Sequence, residues 1–199
     1  MCTVSWIHED GSYRLFFNRD EKLTRRPAAP PRIDTHSGVR FIAPAAADFG
    51  GTWIAANEFG LTLCLFSGAG PARARRSRGL LITNSIDSES AEQAAERLHR
   101  AGLTQYAPFT LAALEPGHHA QITVWDGAET SILPYCEPYM PLASSSLDPA
   151  GATERRKKPA APAVLSGHRC PRIFNDVFFD RVIAVKPVPP CDGKVEMSS

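Results

Sequence analysis

A cysteine directly follows the initiator methionine, and Asn18-Arg19-Asp20-Glu21 lies a short way downstream. Aminopeptidases remove Met before small side chains, so clipping of Met1 would leave Cys2 with a thiol and a free α-amine on one residue. That residue is a nucleophile carrying its own base, the combination that acyl transfer at an amide requires. A guanidinium beside a thiol favours the thiolate, which is the reactive form. The chemistry therefore depends on whether Arg19 and Asp20 reach Cys2.

The intervening residues predict that they do. Thr3 to His8 and Tyr13 to Asn18 are rich in β-branched and aromatic residues, and Asp10-Gly11 stands between them. Asp-Gly between strand-like runs is a strong hairpin signal, because both central residues of the tight turn need positive φ. With that turn, Val4 faces Phe17, Trp6 faces Leu15 and Cys2 faces Arg19. Opposite residues share a face, with Cβ atoms about 5 Å apart. A one-residue slip would send Arg19 to the other side. The same residues also have structural readings: Cys2 as a packed strand residue, Arg19 and Asp20 as an ion pair pinning the hairpin end, Asn18 and Glu21 as loop caps.

The chain has 199 residues, 43% apolar and 22% charged, with a net charge of +1. That is ordinary for a globular protein able to build a core without metal or disulfide staples. The charge balance carries no nucleic-acid footprint, and the apolar runs are too short to span a membrane. Five scattered cysteines with no secretory leader point to reduced thiols and a cytoplasmic location.

Downstream, Lys22 to Arg32 reads as a basic, proline-rich loop and Gly38 to Pro44 as a short strand. Gly50-Gly51-Thr52-Trp53 opens a second hairpin that turns at Glu58-Phe59-Gly60 into Leu61 to Phe66, a run apolar enough to be covered on both faces. Gly50-Gly51 predicts a tight backbone turn, and Trp53 a core position. Gly68 to Gly79 holds Arg73, Arg75, Arg76 and Arg78 and reads as a solvated basic loop, an anion contact being the other reading. Ser88 to Gly102 predicts a helix capped by Ser90 and ended by Gly102. Pro108 to Glu115, Ala120 to Trp125 and Thr130 to Tyr135 predict an antiparallel meander, and Ala152 to Lys158 a short basic helix. Residues 159–199 form a proline-rich segment with one strand-like run, Ile173 to Val185, expected to pack on the domain formed by residues 1–158. His118-His119 reads as an exposed turn. His168, Cys170 and Cys191 lack the Cys-x-x-Cys spacing of a zinc site, so neither metal nor cofactor is expected.

Met1-Cys2-Thr3-Val4, Phe17-Asn18-Arg19-Asp20-Glu21 and Gly50-Gly51-Thr52-Trp53-Ile54, in that order, resemble the NRDE family, also called the transport and Golgi organisation 2 family. The resemblance implies an α+β fold, a four-layer αββα sandwich of two antiparallel sheets like that of N-terminal-nucleophile hydrolases, here with few helices. It also implies a likeness to cysteine-type hydrolases of linear amides, with Cys2, Arg19 and Asp20 in the catalytic roles. Many members carry Asn where this chain has Ser67 and near Ser144, so Ser67 and Ser144, with Asn18, are the candidates for substrate or oxyanion contacts. The family is also linked to haem trafficking. The implied partner is thus a small amide or, on a non-catalytic scaffold, haem or another hydrophobic ligand.

Overall fold

The structure is a computed structural model that describes residues 2–9, 11–19, 24–47, 50–68, 74–133, 142–144 and 182–185. Strands β1 (Cys2–Glu9) and β2 (Ser12–Arg19) form the hairpin predicted from Asp10-Gly11, in the predicted register: Val4 opposite Phe17, Trp6 opposite Leu15, Cys2 opposite Arg19. Gly11 has a φ of 65°, as a tight turn requires. Two short strands, β10 (Leu142–Ser144) and β11 (Val182–Val185), flank the hairpin, giving a four-stranded sheet in the order β10-β1-β2-β11. Of the strand-like run Ile173 to Val185, only β11 lies within the described residues, and the helix expected over Ala152 to Lys158 lies outside them.

The second sheet has seven antiparallel strands in the order β3-β4-β5-β6-β7-β8-β9: Ala29–His36, Val39–Ala45, Ile54–Asn57, Thr62–Ser67, Phe109–Leu114, Gln121–Trp125 and Thr130–Leu133. The expected meander is β7 to β9. One expectation is corrected at β3. The basic loop predicted over Lys22 to Arg32 gives way to strand from Ala29 onward. Pro30 and Pro31 do not forbid this, because β3 is an edge strand and its pairing with β4 is irregular between Ala29 and Arg32.

The sheets pack face to face and enclose one of the two cores. Val4, Trp6, Tyr13, Leu15 and Phe17 from the first sheet bury against Ile54, Cys64, Phe66, Ala112, Leu114 and Ile122 from the second. The opposite face of the second sheet is covered by helices α1 (Gly79–Thr83) and α2 (Ala91–Arg100). There Leu81, Ile82, Ala94 and Leu98 meet Leu63, Leu65, Phe109 and Leu111. Thus β6 is buried on both faces, as its near-continuous apolar run predicts. The molecule is an α+β sandwich of two antiparallel sheets with few helices; among the described residues the helices lie on the outer face of the seven-stranded sheet.

Helix α2 starts and stops where the sequence says it should. The Ser90 side chain accepts a hydrogen bond from the Gln93 N–H, and Gly102 is left-handed at φ 64°. Helix α1 has no such punctuation. Its residues Leu81 and Ile82 are drawn down by burial rather than by a capping side chain.

A buried hydroxyl helps tie the hairpin to the large sheet. Buried Tyr13 donates to the Gly60 carbonyl at 2.7 Å and shares a hydrogen bond with the Thr62 hydroxyl at 2.7 Å. Burial pushes its phenol well above the ordinary range, so it stays protonated and remains a donor. Tyr13→Phe leaves these groups without their partner and should lower stability by about 1–3 kcal/mol in denaturant titrations, with the fold retained.

Candidate functional site

Cys2 is the first residue of β1, held on both sides. Arg19 of β2 is its register partner on one flank and Ser144 of β10 on the other. Side chains alternate along a strand, so Cys2 shares the face of Val4 and Trp6, the face turned toward the second sheet. It is half-buried and packs at the margin of the inter-sheet core. Arg19 shares the face of Leu15 and Phe17 by the same argument. Its guanidinium carbon sits 3.8 Å from the centroid of the Trp53 ring. A cation over an indole is worth about 0.5–2 kcal/mol depending on exposure. Here it fixes a planar charge beside the Cys2 strand end. Trp53 is thus more than the core residue it reads as in sequence: it is half-buried and carries Arg19 on its face.

The Gly-Gly-Thr-Trp segment that presents Trp53 is explained by two different glycine requirements. Gly50 has a φ of 67°, which supports the predicted tight turn. Gly51 serves a close approach instead. A Cβ there would lie 2.8 Å from the backbone of Gly79, and a Cβ on Gly79 would lie 2.8 Å from the Thr52 carbonyl. The Thr52 N–H points to the Gly79 carbonyl at 3.4 Å. The loop before Trp53 and the start of α1 therefore touch backbone to backbone, which brings the residue before Gly79 to the site.

That residue is Arg78. Its Nη1 donates to the Pro108 carbonyl at 2.6 Å and its Nη2 to the Ser67 hydroxyl at 2.9 Å. The same carbonyl accepts from the Gly68 N–H at 2.9 Å. Burial pulls the Arg78 guanidinium below its ordinary value and Arg25 acts the same way, while Cys2 opposes both. Arg78 remains charged, as arginines in proteins do, and lies within electrostatic reach of the cysteine. The reading of Gly68 to Gly79 as a solvated loop is therefore corrected at Arg78. Arg75 and Arg76 are exposed, whereas Arg78 turns inward. Nothing in the run of arginines distinguishes it; the Gly at position 79, paired with Gly51, is the available signal.

The remaining candidates divide. Ser67 closes β6, and its oxygen accepts from Arg78, leaving its own proton available to donate. The backbone of Ser144 pairs with Cys2, but its side chain lies outside the described residues. Asn18 is the register partner of Thr3, which places it on the sheet face opposite to Cys2 and Arg19. Asp20 lies outside the described residues. Among the described residues no cluster of His, Cys, Asp and Glu is arranged to hold a metal ion, and no helix is long and apolar enough to cross a membrane.

The model of the family described as Transport and Golgi organisation 2 matches residues 1–158. The chain belongs to that family. Arg19 of the Asn-Arg-Asp-Glu segment and Trp53 of the Gly-Gly-Thr-Trp segment both bear on the geometry around Cys2. A search of curated proteins gives no match. Among solved structures, the chain is similar to penicillin V acylase from Agrobacterium tumefaciens, at 14% identity and a TM-score of 0.46 over 67% of this chain and 49% of that one. It is also similar to a mutant of the conjugated bile acid hydrolase from Clostridium perfringens, at 11% identity and a TM-score of 0.47 over 67% of this chain and 50% of that one. The chain spans about half the length of each.

The glycine contact can be tested directly. Gly51→Ala puts a methyl into the backbone of Gly79, so it should cost about 1–3 kcal/mol of stability by overpacking. It should also slow thiol labelling of Cys2 by displacing Arg78. Unchanged stability and labelling would show that the approach of these two segments is not what holds the site.

Proposed function

We propose that this protein is a cysteine-type amidohydrolase in which Cys2, made N-terminal by removal of Met1, attacks the carbonyl of a small linear amide. The observation that carries the reading is the placement of Arg19 opposite Cys2, on the inner face of the hairpin and stacked on Trp53.

The steps follow from the groups present. The Cys2 sulfur forms a bond to the carbonyl carbon, and the C=O π electrons move to oxygen. The developing oxyanion needs donors in a place that excludes water. The Ser67 hydroxyl, polarised by Arg78, and backbone N–H groups are the candidates in a chain that lacks Asn at position 67. The α-amine of Cys2 takes the thiol proton and delivers it to the leaving nitrogen. Collapse of the intermediate breaks the C–N bond, releases the amine and leaves a thioester on Cys2. Water activated by the same amine then attacks the thioester and releases the carboxylic acid, restoring the thiol. Arg19 favours the thiolate through its charge. Asp20, next in sequence, is assigned to orienting the α-amine.

Cys64 provides an internal control, because it is fully buried and burial pushes its thiol well above the ordinary range. A β-lactone or thiol-reactive amide probe should label Cys2 and leave Cys64 untouched in the native protein. Cys2→Ala should lower amide turnover by more than about 10⁴-fold with the fold intact. Intact mass showing Met1 retained in the native host would overturn the proposal, as would equal labelling of Cys2 and Cys64.

A second reading, a non-catalytic carrier of haem or another hydrophobic ligand, has one observation on its side. A cleft of about 690 Å³ opens between α2 and strands β8 and β9, lined in part by Leu98, His99, His119 and Ile132. It lies on the helix face of the large sheet, away from Cys2. A haem titration followed by absorbance should then saturate, and Cys2→Ala should leave the affinity unchanged; no spectral change on titration would remove this reading.

A further inference from the structure

The seven-stranded sheet ends on one side at β3, and among the described residues nothing pairs with the far side of that strand. The turn after β3 sets which of its backbone groups face outward. Ser37 and Gly38 both have positive φ, 50° and 86°, and in such a two-residue turn the flanking pair, here His36 and Val39, exchanges hydrogen bonds. The pairs alternate from there. Asp34 and Arg32 aim their backbone groups at β4, while Thr35 and Ile33 aim theirs away. Two observations agree with this parity. Arg40, opposite Thr35, turns toward the β5 side: its N–H donates to the Glu58 carboxylate at 2.8 Å and its carbonyl accepts from the Glu58 N–H at 3.0 Å. The Thr35 N–H donates to the Asp34 carboxylate at 2.8 Å rather than to β4.

The side chains along this edge are as open as the backbone. Ile33 is 72% exposed and stands opposite Ile42, which is 42% exposed. Ile42 pairs with Ala56, so both isoleucines share the face of Ile54, the face on which the N-terminal hairpin packs. Adjacent exposed isoleucines beside free edge groups form a template for another strand. Arg32 and Asp34 flank Ile33 on the other face, exposed and 3.6 Å apart. Arg-Ile-Asp read backward sets each charge against its opposite.

That property selects the occupant and its register. Directly opposite residues of an antiparallel pair share a face, so a second copy of β3 can meet the first centred on one residue at a time. Centring on Arg32 sets Arg32 against Arg32, and centring on Asp34 sets Asp34 against Asp34; like charges directly opposite are destabilising. Centring on Ile33 sets Arg32 of each chain against Asp34 of the other. Each Ile33 N–H then donates to the Ile33 carbonyl of the other chain. Asp34, turned toward Arg32 across the contact, releases the Thr35 N–H to the opposite Pro31 carbonyl. Pro31 has no N–H to return, so the ladder ends there and spans residues 31–35 of each chain. A two-fold axis supplies the charge match automatically, and the pairing consumes the edge, so association stops at two copies.

We propose that β3 is the contact between two copies of this chain, which pair antiparallel about a two-fold axis at Ile33 and join their large sheets into one continuous sheet. The contact is short, which makes the dimer a weak one. It does not depend on the chemistry at Cys2.

Sedimentation equilibrium of the full chain should show the average mass rising from one chain to two between about 1 μM and about 1 mM. Ile33→Lys, at an exposed position, should weaken the association about tenfold or more with far-UV circular dichroism unchanged. Arg32→Asp and Asp34→Arg each set like charges against each other in both cross-strand pairs, and each should weaken self-association about tenfold. Mixed in equal amounts, these two variants set Asp against Arg in both pairs and should associate with each other. The double variant Arg32→Asp/Asp34→Arg should recover self-association. A mass of one chain throughout the range overturns the proposal, as does association that the single variants leave unchanged. Failure of the two folded charge variants to associate when mixed overturns it too, as do assemblies larger than two copies that survive Ile33→Lys.

Discussion

Packing of the N-terminal hairpin onto the large sheet is the constraint on which the site depends. Val4, Trp6, Leu15 and Phe17 are buried, and burying side chains of this size is worth about 1.5–3 kcal/mol each. Strand side chains alternate with a period of two. Once these four face inward, Cys2 and Arg19 must face inward too. A register slip that moved Arg19 away would also expose the aromatic and aliphatic residues behind it. The geometry at the strand end is therefore protected by the energetics of the strand middle. The Tyr13 hydroxyl adds direction to a contact that apolar packing alone would leave free to slide.

A second contact governs what stands around Cys2. Gly51 and Gly79 let two backbones meet where any side chain would collide. That meeting places Trp53 under Arg19 and brings Arg78 to Ser67 and Pro108. The Gly-Gly-Thr-Trp segment is thus best understood as a spacer with no side chain to spare, followed by an aromatic platform. Ser67 is tied to the same arginine. Membership of the Transport and Golgi organisation 2 family is consistent with this architecture. What the site does chemically is a matter of these particular side chains rather than of the fold.

Local signals made much of the fold legible. Asp10-Gly11 sets the first hairpin, Ser90 and Gly102 bracket α2, and the apolar run through Cys64 marks a strand buried on both faces. The failures have physical causes. Pro30 and Pro31 argue against a strand, yet β3 forms because an edge strand needs no donor on its outer side. Helix α1 is too short to show a helical period and is held by Leu81 and Ile82 in the core. Arg78 sits among four arginines of one loop, and charge alone does not say which of them turns inward.

The sequence by itself determined that Cys2 and Arg19 lie across one hairpin, because a two-residue turn leaves little freedom in the pairing that follows. It also determined, through alternation, which residues share their face. Only the tertiary structure decided what that face meets. Trp53, Ser67 and Arg78 come from segments far apart in the chain, and no local periodicity encodes their approach. Two glycine backbones in contact, and a guanidinium held by a carbonyl and a hydroxyl, bring them to the cysteine.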